Sequence, residues 1–173
     1  MKHLAPALAL WVGLVAPASA AGVGFSLPKL RVLNLEGASS VGGSVQVIGG
    51  VFSVGLARLD LALDYAYTRD FARAANYSFF DAQAGVGLPL QLSPQFYLTP
   101  ALDAHALAFV ASSEGIDGAA FGLAPRLTLG YRPTNRISVE LAASDAFLFG
   151  LVAGSKGLSG SLITVELGGT FNF

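Results

Sequence analysis

The sequence predicts an all-β protein whose strands run antiparallel, up and down, and close into a membrane-spanning barrel of about eight strands. Three observations predict it. The 173 residues are 53% hydrophobic and only 12% charged, about half the charge of an ordinary soluble domain, and the mean hydropathy is +0.60. No uncharged apolar window of about 18 residues lies beyond the N-terminal segment, so the hydrophobicity is not concentrated in a membrane helix. Apolar and polar residues instead alternate with a period of two. The clearest case is the closing "SLITVELGGTFNF", where Ile163, Val165, Leu167, Phe171 and Phe173 oppose Thr164, Glu166, Gly168, Thr170 and Asn172. Inside lipid only helices and closed barrels satisfy every backbone N–H and C=O, and the first is excluded.

The opening "MKHLAPALALWVGLVAPASA" has a basic start at Lys2, a short apolar core from Leu4 to Val15, and small residues at Ala18, Ser19 and Ala20. This is the pattern of a cleaved export signal over residues 1–20, leaving 21–173 as the mature chain. The apolar core is too short to span a bilayer, and Pro6, Gly13 and Pro17 interrupt it.

The strands follow in order. The first, 25–36, alternates poorly because Lys29 and Arg31 flank Leu30, and "GASSVGG" at 37–43 reads as a loose connection to the second, 44–56. A tight turn at Ala57-Arg58 leads into 59–69, where Leu59, Leu61, Leu63, Tyr65 and Tyr67 oppose Asp60, Ala62, Asp64, Ala66 and Thr68. After a loose stretch at 70–77 comes strand 78–92, a turn at Ser93-Pro94, and strand 95–110, with Phe96, Leu98, Leu102 and Val110 against Thr99, Asp103 and His105. Residues 111–118 are loose. Strand 119–132 sets Leu127, Leu129 and Tyr131 against Arg126, Thr128, Gly130 and Arg132, and turns tightly at Pro133-Thr134-Asn135. Strand 136–148 sets Ile137, Val139, Leu141 and Ala143 against Ser138, Glu140, Ala142 and Ser144; a loose 150–158 then precedes the last strand, 159–173. Tight and loose connections alternate, and each strand is long enough for a tilted crossing of about 9 to 11 residues.

Several details carry further expectations. Pro89, Pro100 and Pro125 fall inside strands, where a missing N–H calls for bulges. Asp145 shares a face with Val139 and Leu141, so it sits above the lipid or the register slips before it. Phe96, Tyr97, Tyr131, Phe171 and Phe173 would mark the tight-turn rim, and Tyr65, Tyr67, Phe79, Phe80, Phe147 and Phe149 the other. The loose connections offer few anchors (Phe71, Arg73 and Tyr77 in one; Glu114, Ile116 and Asp117 in another), and no extended protruding strands are expected. A soluble β-sandwich is the competing fold, but it would need more polar residues on its outer faces.

With an export signal, alternating short and long connections, and a last strand carrying Val165, Leu167, Phe171 and terminal Phe173, the mature chain resembles the small eight-stranded outer-membrane β-barrel proteins of Gram-negative bacteria. The resemblance implies a monomer embedded in outer-membrane lipid, and it implies that Phe171 and Phe173 form the closing signal read by the barrel assembly machinery. It does not imply one activity, because that family shares architecture rather than chemistry.

The polar face would point into the lumen and carry Asp60, Asp64, Asp81, Asp103, Glu140 and Glu166 against Arg126, Arg132 and His105. Strand pairing places Arg126 near Asp103 and Glu140 near Glu166, with Asp81, Gln83 and His105 one step round the wall. Such carboxylates need Arg, water, a proton or a cation as partner. Either they form a salt-bridge network that plugs the barrel, or small residues such as Ala62, Ala66, Gly85, Gly87, Ala101, Ala142 and Gly168 leave a narrow passage preferring cations. Enzymes that modify lipid A on barrels of this size need a Ser–His pair, and His105 is the single histidine of the mature chain, without a serine two residues away. One histidine with scattered carboxylates and no cysteine predicts no metal site and no cofactor. A net charge of -1 without a basic run predicts no nucleic-acid partner. The expected function is a structural or surface-interaction barrel without catalysis, with a narrow conduit as the alternative.

Overall fold

The computed structural model describes residues 21–35, 38–72, 74–112, 118–152 and 158–173. The expected signal peptide, 1–20, lies outside the described residues, as do Arg73, Glu114, Ile116 and Asp117. Ten strands form one antiparallel sheet: β1 (Ala21–Ser26), β2 (Lys29–Leu35), β3 (Ala38–Val54), β4 (Ala57–Asp70), β5 (Ala75–Gly87), β6 (Leu90–Gln91), β7 (Phe96–Ser112), β8 (Gly118–Tyr131), β9 (Ile137–Val152) and β10 (Leu158–Asn172). Leu27 and Pro28 divide the first barrel strand into β1 and β2, and β6 is a short edge segment on β7. Last meets first through Gly22↔Asn172 and Leu30↔Val165, closing an up-and-down ring of eight. Closure removes the free edges that an open sheet of this hydrophobicity would present.

Alternation sorts the faces as the sequence indicates. Leu59, Leu61, Tyr65, Leu127, Leu129, Val139, Leu141, Val165 and Leu167 are exposed on the outside, whereas Asp64, Thr68, Thr128, Ser138 and Thr164 are buried inside. A greasy exterior around a packed interior inverts the soluble sandwich, whose apolar faces would meet one another.

The strands are longer than expected. β3 and β7 each run 17 residues, so Ala38 to Gly43 is ladder rather than loose connection, and strands also take up Asp70 and 75–77, 111–112 and 118, and 150–152 and 158 at the edges of the other three expected connections. "ASSVGG" is a strand because small residues permit close approach: a Cβ on Gly42 would collide with the Tyr67 carbonyl, and the Ser40 hydroxyl donates to Thr68 Oγ1 at 2.9 Å. The turn assigned to Ala57-Arg58 falls at Gly55-Leu56, with Gly55 at φ 62, so Arg58 belongs to β4.

The prolines do not make bulges. Pro89 sits in the break between β5 and β6, and Pro100 pairs in register with Leu127. The β8–β9 ladder lapses after Leu123↔Phe147 and resumes unchanged at Arg126↔Ser144, so Pro125 costs pairing without shifting register. Irregularities lie instead at Val47, where β3 slips against β4, and at Val110, where β7 slips against β5. The Val47 bulge keeps both Val47 and Ile48 outside, so Val41 and Val45 before it and Phe52 and Val54 after it can all face outward.

β10 pairs with β9 in one register throughout, so no slip rescues Asp145. It is exposed on the outer face, with Phe147 and Phe149 beyond it. Phe96 stacks on Tyr131 at 4.9 Å and Phe25 on Phe171 at 5.9 Å, outlining the tight-turn rim. Three aromatics assigned to rims or loops are inside: Tyr97, Phe79 and Tyr77 are all buried, because each lies on the inward parity of its strand.

Candidate functional site

Most strands change character along their inward face. On β7 the inward series runs Tyr97, Thr99, Asp103, His105 and then Leu107 and Phe109; on β9 it runs Ser138, Glu140, Ala142 and then Ala146 and Leu148. On β2 Lys29 and Arg31 give way to Leu33 and Leu35. The lumen is thereby divided into a charged half beside the tight turns and an apolar half beside the longer connections.

In the charged half, Arg31 is 0% exposed and is held by three partners: Nη1 donates to Asp81 Oδ2 at 2.7 Å, Nε donates to Ser44 Oγ at 3.0 Å, and Nη2 donates to Asp64 Oδ2. Lys29 Nζ lies 2.7 Å from Asp64 and 2.9 Å from Glu166, tying this group to the next. Gln83 Nε2 donates to Asp64 and Asp81 at 3.0 and 2.8 Å, and His105 Nδ1 meets Asp81 at 3.1 Å. Nearer the turns, Arg58 forks onto Glu140 at 2.6 and 2.7 Å, while Tyr97 Oη and Ser138 Oγ donate to the same carboxylate. Arg58 Nε also donates to Asp60 at 2.8 Å, and Asp60 accepts from Arg126, whose Nε lies 3.0 Å from Asp103. Paired and forked in this way, buried charges hold one another in place; a single one left alone would be costly.

The expected cluster of Asp64, Asp81, Asp103, His105, Arg126, Glu140 and Glu166 is therefore brought together, with Arg126 against Asp103 as anticipated. Glu140 and Glu166 are diagonal neighbours lining one chamber: the register sets Glu140 opposite Gly168, two residues from Glu166, and Arg58 claims it. Arg132, just past the end of β8, keeps the inward parity but is exposed at the tight-turn end, with its guanidinium 5.1 Å from the ring centroid of the inward Tyr97. Three lumen cations, Lys29, Arg31 and Arg58, were not on the expected inward face. The signal for the first two was present, because Leu30 and Val32 alternate against them; Arg58 was hidden by the misplaced turn.

Above the charges lies a continuous apolar core of Leu33, Leu35, Ala66, Tyr77, Phe79, Leu107, Phe109, Ala120, Ala124, Ala146, Leu148 and Leu162. Phe79 and Phe109 stack at 5.5 Å across the β5–β7 pair. Below it, a partly open chamber of about 60 Å³ remains among Lys29, Gln46, Arg58, Asp60, Asp103 and Glu166. It adjoins an interruption of the β1/β2–β3 ladder, between Val23↔Gly50 and Lys29↔Ser44, which Gln46 Nε2 spans by donating to the Gly24 carbonyl at 2.9 Å. Chemically, the arrangement can hold water or a small polar guest in the charged half, whereas the other half is packed, its buried Ser40 and Thr68 hydroxyls bonded to each other.

No protein-family profile and no curated protein matches the chain. Solved structures do. Neisserial surface protein A (NspA) superposes with a TM-score of 0.64 at 15% identity, covering 91% of this chain and 99% of that one. Ail, the attachment invasion locus protein of Yersinia pestis, in complex with the heparin analogue sucrose octasulfate, gives 0.55 at 10% identity over 91% and 100%. OprG from Pseudomonas aeruginosa gives 0.53 at 11% over 91% and 97%. At such identities the likeness speaks for the fold alone, and the fold of this chain is that of the small eight-stranded bacterial outer-membrane β-barrels.

Proposed function

We propose that this protein is a monomeric barrel of the bacterial outer membrane, acting as a closed structural or surface-interaction component without catalysis and without solute passage. The apolar core across the long-connection half carries the reading: Phe79, Leu107, Phe109 and Leu148 fill the lumen there, and its buried polar groups are already engaged, Ser40 with Thr68 and Asp70 with the Ala72 N–H. The charged half supports it, because Arg31 and Asp64 are as buried as core residues and bonded to each other. The apolar outer face suits outer-membrane lipid as its solvent, and Phe171 and Phe173, both exposed at the closing strand, suit a contact with the barrel assembly machinery. Catalysis is disfavoured because His105 is buried and engaged by Asp81, away from any lipid or solvent substrate. The names of NspA and Ail, a surface protein and an attachment protein, accord with a surface role.

Planar-bilayer recording of the purified, refolded protein tests this reading. The expected record has no steady steps in potassium chloride; stable, cation-selective steps abolished by Glu140→Gln together with Glu166→Gln would replace it with the conduit. Comparison of lipid A from cells with and without the protein checks the absence of catalysis, with unchanged lipid A expected.

A further inference from the structure

The wall parts between β1/β2 and β3, and the chamber of the charged half lies directly behind the parting. The strands meet in the same register on either side of it, from Ala21↔Phe52 to Val23↔Gly50 and again from Lys29↔Ser44, yet Gly24 to Pro28 and Val45 to Gly49 have no ladder partner across it. Both edges are irregular there. Pro28 has no N–H to give, and the chain gains one residue against β10 between Ser26↔Gly168 and Leu30↔Val165, while β3 carries its Val47 bulge. The β10 side stays bonded, with the Leu27 N–H donating to the Leu167 carbonyl at 2.9 Å, so the seam opens on one side. Phe25 and Leu61, 44% and 49% exposed on the outer face, line the chamber together with inward Lys29, Asp60 and Asp103, so the space reaches through the wall. The seam starts beside the Phe25–Phe171 pair of the tight-turn rim and runs inward at about 3.3 Å per residue. That is the depth at which lipid heads give way to chains.

We propose that this seam is a lateral entrance through which the chamber takes the head of a neutral, hydroxyl-bearing amphiphile of the monoacylglycerol class from the surrounding lipid, its chain lying outside along Phe25, Leu27, Val47 and Ile48. Those side chains are exposed round the seam and suit a hydrocarbon chain. Inside, Ser26 Oγ and Asp103 Oδ1 are buried, line the chamber and have no hydrogen-bond partner among the described residues, so both can bond to head hydroxyls. A chamber of about 60 Å³ has room for a glycerol head in place of several waters. The head is neutral because Lys29, Arg58 and Arg126 are each already held by a carboxylate: an anion would have to displace Asp64, Glu140 or Asp60, and a cation would meet those same three side chains. Gln46 and Gly49 shape the entrance, since Gln46 Nε2 donates to the Gly24 carbonyl at 2.9 Å and a Cβ on Gly49 would collide with it. The apolar core closes the far side, so the guest enters and leaves by the seam and nothing crosses the barrel.

Amide NMR of the isotope-labelled barrel, refolded in zwitterionic detergent and titrated with monodecanoylglycerol, tests the entrance. Saturable shifts of the Gly24, Ser26 and Gly49 amides are expected, with contacts from the glycerol protons to Ser26, whereas decanoate, decylamine and free glycerol should give no saturable shift. Ser26→Ala should weaken binding about 3- to 10-fold, the loss of one hydrogen bond. Gly24→Leu should abolish it, because a Cβ at Gly24 meets only ordinary contact with Val51 at 3.7 Å and the longer side chain then fills the chamber. Heat-modifiable gel mobility reports whether each variant folds, and the nearly isosteric Ser26→Ala decides the matter if Gly24→Leu does not fold. Shifts shared by every probe, contacts from water alone at the seam, or binding that folded Ser26→Ala leaves unchanged overturn the proposal, and the chamber is then a water pocket. Saturable binding of free glycerol overturns it too, by showing entry from the aqueous end.

Discussion

The two halves of the lumen are lined by the same strands and enclosed by the same greasy wall, yet they are filled in opposite ways. Beside the tight turns, buried charges satisfy one another; beside the longer connections, side chains pack as in any soluble core. The difference teaches that closing the barrel does not require a polar interior. What it requires is that nothing inside be left unpaired, and a mainly apolar filling meets that demand with little pairing, such as that of Ser40 with Thr68. The charged half instead depends on every member of its network, so single changes there should be felt more sharply than comparable changes above.

The largest effect is expected from Arg31→Leu, which strands Asp64 and Asp81 in a dry interior. It should lower unfolding free energy by about 3 to 5 kcal/mol, read from urea titration of refolding into lipid vesicles. Leu107→Ala, in the apolar half, opens a cavity without leaving a charge behind and should cost about 2 to 5 kcal/mol. If Leu107→Ala proves costlier than Arg31→Leu, the contrast between the halves is reversed. Next comes a double-mutant cycle: Arg58→Leu alone should destabilise more than Arg58→Leu with Glu140→Leu, with a coupling of about 0.5 to 3 kcal/mol, because the pair removed together leaves no orphaned carboxylate. Conductance separates the halves in kind. Phe79→Ala combined with Leu107→Ala and Phe109→Ala should admit current, whereas Glu140→Gln should leave the bilayer silent. The smallest effect is expected outside both: Asp145→Leu, on the lipid face below Phe147, should raise stability by at most about 1 kcal/mol.

Much of this was readable beforehand, residue by residue. Period-two alternation placed Asp64, Asp103, Arg126 and Glu140 inside, and it placed Leu127, Leu141 and Val165 outside, because a strand has only two faces. It failed where small residues resembled a loop, as at Ser39 to Gly43, and where a turn was set two residues late, which removed Arg58 from the lumen. The change from charged to apolar along the inward face was also written in the chain, for instance in Asp103, His105, Leu107 and Phe109. It was obscured because apolar residues on both faces weaken the alternation that identifies a strand.

The sequence by itself determined that these strands close into a lipid-facing barrel, since hydrophobicity spread at period two, without any spanning helix, admits no other arrangement that satisfies the backbone in a membrane. Only the tertiary structure decided which charges meet. Arg31 reaches Asp81, 50 residues away, and Arg58 reaches Glu140, 82 residues away, across an interior whose stagger depends on the Val47 and Val110 bulges and the break at Leu27-Pro28. Local pattern fixes the face of a residue, but its partner across the lumen is set by the summed register of the whole ring.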